Sequence, residues 1–313
     1  MKHVPISQIN QLKMKNKLAR SSGRTSGFSI NLCSMIIISR FPKLLQGAVV
    51  SAGICLSVIS PARAEMSAWA DNEGGRMRLV ALPPDADGKI RAGLQIEPKP
   101  GWITYWREPG NNGIPPQVTI AADGGVTLDR MLYPIPKHIA DGRVDEVAYD
   151  APLTFPLELS ATGGTPKEIK ANAFIGICKD ICVPFQAELT LAFSPAARSR
   201  PEEEQILSAA AARLPEAPSP DFQVTAHALS DDRKELSLSV TLPEGGSRIP
   251  DVIVAGPSGY VFTKQLDGKR DDRDFTTTVA IGKLPKNYDI HGKSWSVMVI
   301  DGARAIETPL AFD

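Results

Sequence analysis

The sequence predicts an all-β protein: a β-sandwich followed by a second, smaller β domain, with one short helix in the connection. Three observations carry that reading. Candidate strands are short alternating or apolar runs; Pro, Gly, Asn and Asp interrupt them at close intervals; and helical periodicity is confined to one stretch.

The first 64 of the 313 residues do not read as folded structure. They hold nine of the 35 basic residues and none of the 35 acidic ones. Residues 44–59 are apolar, and Pro61-Ala62-Arg63-Ala64 follows them. A basic region, an apolar stretch and a small-x-small site make a secretory signal, with cleavage expected after Ala64. The basic lead-in is long, which leaves Met14 and Met35 as alternative starts. The apolar stretch is shorter than the ~20 residues of a membrane span, and no later segment approaches that length. Without these residues 26 basic face 35 acidic side chains. With the export signal, that balance describes an acidic, exported, soluble protein, without a membrane span after cleavage and without nucleic acid as a partner.

Within 65–195 the expected strands are 77–82, 90–96, 117–120, 153–159, 169–177 and 187–193. Several short strands with no helical pattern between them indicate an immunoglobulin-like sandwich. Residues 196–220 form a linker. In it Pro201-Glu202-Glu203-Glu204 opens a helix carrying Ile206, Leu207, Ala210 and Leu214, and Pro215, Pro218 and Pro220 end it. A partner-binding helix is the alternative, although short apolar faces usually pack on their own protein. Strands resume over 221–313, at 223–228, 236–242, 252–255, 275–281 and 295–300, with turn signals at Gly245-Gly246, Gly256-Pro257 and Asp267-Gly268.

Beyond the export signal only Cys178 and Cys182 remain, in Ile177-Cys178-Lys179-Asp180-Ile181-Cys182-Val183-Pro184. Strand-forming residues flank both, so the expected geometry is a tight β-hairpin with the cysteines facing across its mouth. Non-hydrogen-bonded neighbours there lie ~4.5 Å apart at Cα, within disulfide reach. As a staple, so small a ring stabilises by roughly 2 kcal/mol, little for a domain of this size. A reversible exchange site uses the pair better, since short exposed disulfides are the more labile class. Lys179 favours a thiolate and Asp180 opposes it. Two other uses stay open. The bond is an inert structural link, or the two thiolates capture Cu(I). Zinc would need two more ligands, and His138, His227 and His291 are widely scattered. No metal and no cofactor is expected for the exchange reading.

Further motifs carry a family resemblance. Gly101-Trp102-Ile103-Thr104-Tyr105-Trp106-Arg107-Glu108-Pro109-Gly110, Gly113-Ile114-Pro115-Pro116, Tyr133-Pro134-Ile135-Pro136 and the cysteine run resemble the amino-terminal periplasmic domain of DsbD-type thiol:disulfide interchange proteins, and the ScsB branch in particular. The resemblance implies an immunoglobulin-like fold and a protein-disulfide reductase activity. In it Cys182 forms the mixed disulfide with partners and Cys178 resolves it. The implied partners are a membrane electron donor of DsbD/ScsB type and periplasmic disulfide isomerases or other thioredoxin-like proteins. Copper tolerance is linked to the branch by name. Trp102, Tyr105, Lys179, Asp180 and Pro184 align with the lining of the active site. Residues 137–147 align with a loop that caps the thiols. That segment lacks an aromatic residue, which leaves Ile139 or Val144 as the capping side chain and His138 beside it.

Overall fold

The computed structural model describes residues 66–110, 113–140, 145–164, 166–193, 201–257, 260–284 and 288–312. The first domain contains β1 (Ala70–Asp71), β2 (Gly75–Ala81), β3 (Lys89–Pro98), β4 (Ile103–Gly110), β5 (Gln117–Ile120) and β6 (Val126–Met131). It continues with β7 (Lys137–Ala140), β8 (Asp145–Tyr149), β9 (Leu153–Ala161), β10 (Glu168–Cys178) and β11 (Cys182–Ala192). One sheet runs β1-β2-β3-β9-β6, and the sheet facing it runs β11-β10-β4-β8-β7, with β5 also paired to β10. Their inner faces share one core in which Met77, Leu94, Trp106, Phe155 and Ile175 are fully buried. This is the immunoglobulin-like sandwich expected, with alternate residues of each strand facing inward.

Helix α1 (Pro201–Ala211) lays Leu207 against Val80 and Leu82 of the first sandwich. Its apolar face therefore packs on its own protein. The second domain follows: β12 (Gln223–Leu229), β13 (Glu235–Thr241), β14 (Asp251–Gly256), β15 (Tyr260–Phe262), β16 (Lys269–Asp271), β17 (Asp274–Ala280), β18 (Trp295–Asp301) and β19 (Arg304–Leu310). Its sheets run β12-β13-β17-β16 and β15-β14-β18-β19. The second of these is covered on both faces. Val252, Val254, Val297 and Val299 enter the second core, while Ile253, Ala255 and Met298 extend the core of the first domain. A strand buried on both faces reads as an unbroken apolar run, as Val252-Ile253-Val254-Ala255 does.

Strands β1, β4, β6, β7, β8, β15, β16 and β19 were not among the expected ones. Most are short or largely exposed: β7 has no buried residue, and β19 carries Pro309 at the edge of its sheet. The proposed signal segment and Ala64 lie outside the described residues. Among the described residues no helix is long and apolar enough to cross a membrane.

Candidate redox site

Strands β10 and β11 pair without a break from Glu168↔Ala192 to Cys178↔Cys182. The Lys179 N–H donates to the Ile181 carbonyl at 3.2 Å, closing the turn. Alternation along the ladder then makes Cys178 and Cys182 a non-hydrogen-bonded pair, the closer of the two spacings. Their Cα atoms are 4.1 Å apart and their sulfurs are bonded. The two sulfurs differ in access. Cys178 is 3% exposed, packed with Tyr105 and Ala148, whereas Cys182 is exposed at the mouth. Next to it Ile181 stands 70% exposed at the hairpin tip.

Tyr105 reaches the pair from β4. Its ring is held where two glycines leave room. A Cβ on Gly176 would come within 3.1 Å of the ring and 2.6 Å of Ile114, and one on Gly113 within 2.7 Å of the ring. The Thr104 hydroxyl donates to the Gly176 carbonyl at 2.9 Å and ties β4 to β10 at the same level. The Tyr105 hydroxyl lies 3.1 Å from Cys182 Sγ. In the disulfide the sulfur carries no hydrogen, so the hydroxyl is the donor. Glu146, 2% exposed on β8, is hydrogen-bonded to the same hydroxyl. Burial pushes the Tyr105 hydroxyl well above its ordinary pKa of 10.0, and the hydrogen bond and charge of Glu146 push it further. Tyr105 therefore keeps its proton through the physiological range, with a sulfur and a carboxylate competing for it.

The expected lining residues divide into two groups. Tyr105, Lys179, Asp180 and Pro184 surround the pair; Lys179 lies along Gly101 with its head exposed, and Pro184 sits opposite Gly176 on the hairpin. Trp102 instead packs with the sandwich core, over Gly74 and Ile177, on the face of the strand away from Tyr105. The cap segment is not a loop in its described part. Residues 137–140 and 145–149 are antiparallel strands of the active-site sheet, paired from Lys137↔Ala148 to Ala140↔Asp145. Ile139 packs against Tyr105, Ala148 and Cys178. His138 faces the other way, into a cleft of about 450 Å³ beside Arg213 and Asp251. Val144 lies outside the described residues. Sequence reasoning missed Glu146, Gly113 and Gly176 as site residues. The signal for Glu146 was an acid two positions from Ala148 in the strand-like run Glu146-Val147-Ala148-Tyr149, a spacing that puts both on one face of the strand. Among the described residues no three His, Cys, Asp or Glu side chains gather as a metal site would require.

Comparison with known proteins agrees with this geometry. Residues 78–194 match the family described as thiol:disulfide interchange protein DsbD, N-terminal. The first sandwich is a DsbD-type amino-terminal domain. Residues 213–313 match a domain of unknown function, DUF8393. The crystal structure of the N-terminal periplasmic domain of ScsB from Proteus mirabilis shares the fold, with a TM-score of 0.64 and 21% sequence identity over 80% of this chain and 100% of that one. No curated protein matches. The DsbD-type domain, with its cysteine pair bonded at the hairpin mouth, is a thiol:disulfide interchange module.

Proposed function

We propose that this protein relays reducing equivalents in the periplasm, between a membrane donor of DsbD/ScsB type and thioredoxin-like proteins such as disulfide isomerases. The observation that carries the reading is the unequal burial of two bonded sulfurs: Cys182 is open to another protein's disulfide and Cys178 sits directly behind it. An exchange centre needs that order of access, and a simple staple does not.

In the reduced protein the Cys182 thiolate attacks one sulfur of the partner disulfide. The partner's other sulfur leaves with the bonding pair and takes up a proton. The Cys178 thiolate then attacks Cys182 Sγ, and the partner's second sulfur departs and is protonated. Two electrons and two protons pass, and the Cys178–Cys182 disulfide is restored, as in the form described here. The membrane donor reverses these steps to recharge the pair. When Cys182 Sγ is the leaving group, the Tyr105 hydroxyl beside it stabilises the developing thiolate by hydrogen bonding, and the Glu146 carboxylate holds that hydroxyl in place. Ile139 shields Cys178 from one side.

The test is a Cys178→Ser variant expressed in an exporting cell. Mixed disulfides through Cys182 with a membrane protein and with thioredoxin-like proteins are the expected result. An empty trap, together with a native disulfide that resists dithiothreitol, would return the bond to a structural role.

A further inference from the structure

The second domain has no assigned task, and its points of attachment suggest one. Strand β4 keeps step with β8 as far as Tyr105↔Ala148 and rejoins it at Gly110↔Glu146. Trp106, Arg107, Glu108 and Pro109 therefore stand opposite Val147 alone. A bulge of that size gives up ladder hydrogen bonds and re-aims the side chains beside it, and it keeps one shape only where its surroundings hold it. Its two ends are the two polar groups of the redox site, Tyr105 on one side and the partner of Gly110, Glu146, on the other.

The second domain holds the outer side of this bulge. Arg107 Nη1 donates to Glu307 at 3.1 Å. Its Nη2 donates to Ser296 at 3.2 Å and to the second carboxylate oxygen of Glu307, and Ser296 in turn donates to Glu307 at 2.8 Å. The guanidinium lies 3.9 Å from the ring centroid of Trp106 and 5.9 Å from that of Tyr133. Side-chain exposure is only 26% for Arg107 and 25% for Glu307, so the pair is screened less than a surface one. Bidentate geometry fixes direction as well as distance. Ser296 and Glu307 belong to β18 and β19, whose sheet also places Met298 and Ile253 in the first core.

We propose that the second domain is a brace for the redox centre and that Arg107 is its positioning residue. By clamping the β4 bulge through Glu307 and Ser296, it sets where the Tyr105 hydroxyl stands relative to Cys182 Sγ. This rests on Cys182 being the exchanging sulfur, but it can be read without any partner protein.

The experiment uses the whole chain, reduced, in a Cys178→Ser background, and follows alkylation of Cys182 by iodoacetamide as a function of pH. Arg107→Met and Glu307→Gln should each change the rate on the order of tenfold, because small misplacements of a polar group at a reacting atom have effects of that size. The pH midpoint should move with the rate. The double variant should be no worse than either single one, since the two residues act as a unit. Arg304→Met, which breaks a separate ion pair with Glu216 and Asp221, should keep the parent profile. Unchanged rate and midpoint in Glu307→Gln, a neutral substitution of the same shape, would overturn the brace even if Arg107→Met fails to fold. So would effects that merely add in the double variant. If these shifts appear while Cys182 traps no partner in cells, the brace stands and the relay falls.

Discussion

In the second sandwich β13 meets β17 from Glu235↔Ala280 to Thr241↔Asp274, and β18 meets β19 from Trp295↔Leu310 to Asp301↔Arg304, neither with a shift. In the first, β4 falls out of step with β8 directly beside the disulfide. The cores differ in the same sense. Trp295 is stacked on Phe262 at 5.8 Å and meets Phe312 and Tyr288 edge-on, all apolar packing. Around Tyr105 the first domain instead places a buried glutamate and a sulfur. The second sandwich has a register shift too, between β12 and β13 at Val224/Ala226, but in a domain without cysteine, whereas the interruption in β4 brings a polar group onto a reactive atom. One chain thus puts such an interruption beside a reactive atom in only one of two similar folds.

Cysteine and tryptophan substitutions should break that comparison from opposite ends. Cys182→Ser should abolish exchange with a thioredoxin-like disulfide, measured as transfer to a purified partner. Its cost in stability should not exceed roughly 2 kcal/mol, the contribution of so small a ring. Trp295→Ala should cost about 3–5 kcal/mol in urea unfolding, as expected for an aromatic side chain 1% exposed in a dense core.

Matched glycine substitutions sharpen the contrast. A Cβ on Gly176 would stand 2.6 Å from Ile114 and 3.1 Å from Tyr105, and a Cβ on Gly256 would stand 2.8 Å from the Trp295 ring. Both Gly→Ala changes overpack their sites and should cost about 1–3 kcal/mol. Only Gly176→Ala should also slow exchange, because the group it displaces is the one that touches Cys182. Equal slowing by Gly256→Ala would mean that any strain reaches the site, whichever domain it arises in.

The two-domain division, the linker helix and most long strands were legible, because 65–195 and 221–313 carry alternating or continuous apolar runs with turn residues between them. The hairpin was legible for a second reason: two cysteines four apart between strand-forming segments have few ways to meet. The bulge was only half legible: Pro109 marks a break in a ladder, but it does not say how many residues are left unpaired, and the partner that holds the bulge, Glu307, is distant in sequence. Trp102 and Tyr105 look alike as aromatic neighbours. Their separation into core and site depends on strand parity, which needs the true start of pairing at Ile103↔Cys178. Glu146 was hidden for a related reason, because an acid in a short run is ordinarily read as exposed.

Alkaline pH should act mainly on the first sandwich. Burial raises the hydroxyls of Tyr105, Tyr133 and Tyr149 above 10.0. A tyrosine whose folded pKa exceeds its unfolded value holds its proton longer when folded, so stability is unaffected below about pH 10 and falls as pH rises beyond it. Circular dichroism of the unfolding transition should show this fall. Tyr105→Phe should lessen it and, by removing the hydroxyl from Cys182, also slow exchange. A fall that persists unchanged in Tyr105→Phe and Tyr149→Phe would remove these hydroxyls as its cause.

The acid limb offers the smallest effect and a control on the rest. Asp221 is drawn down to about 2 by the Ser219 hydroxyl and then by Arg304. A depressed carboxylate contributes stability at pH values above its unfolded pKa and loses it as pH falls through about 2. The group is exposed, so the contribution is modest and shrinks with added salt. Arg304→Met should therefore lower stability slightly at pH values above 3.8 in low salt, with the difference from the parent closing as pH falls toward about 2 and undetectable in high salt. It should not alter Cys182 at all, since Arg304 binds Glu216 and Asp221, whereas the polar contact with the β4 bulge runs through Arg107, Glu307 and Ser296. A change in Cys182 reactivity in Arg304→Met would show that the second domain reaches the disulfide by more than one route, and that the clamp on β4 is a part of a broader coupling.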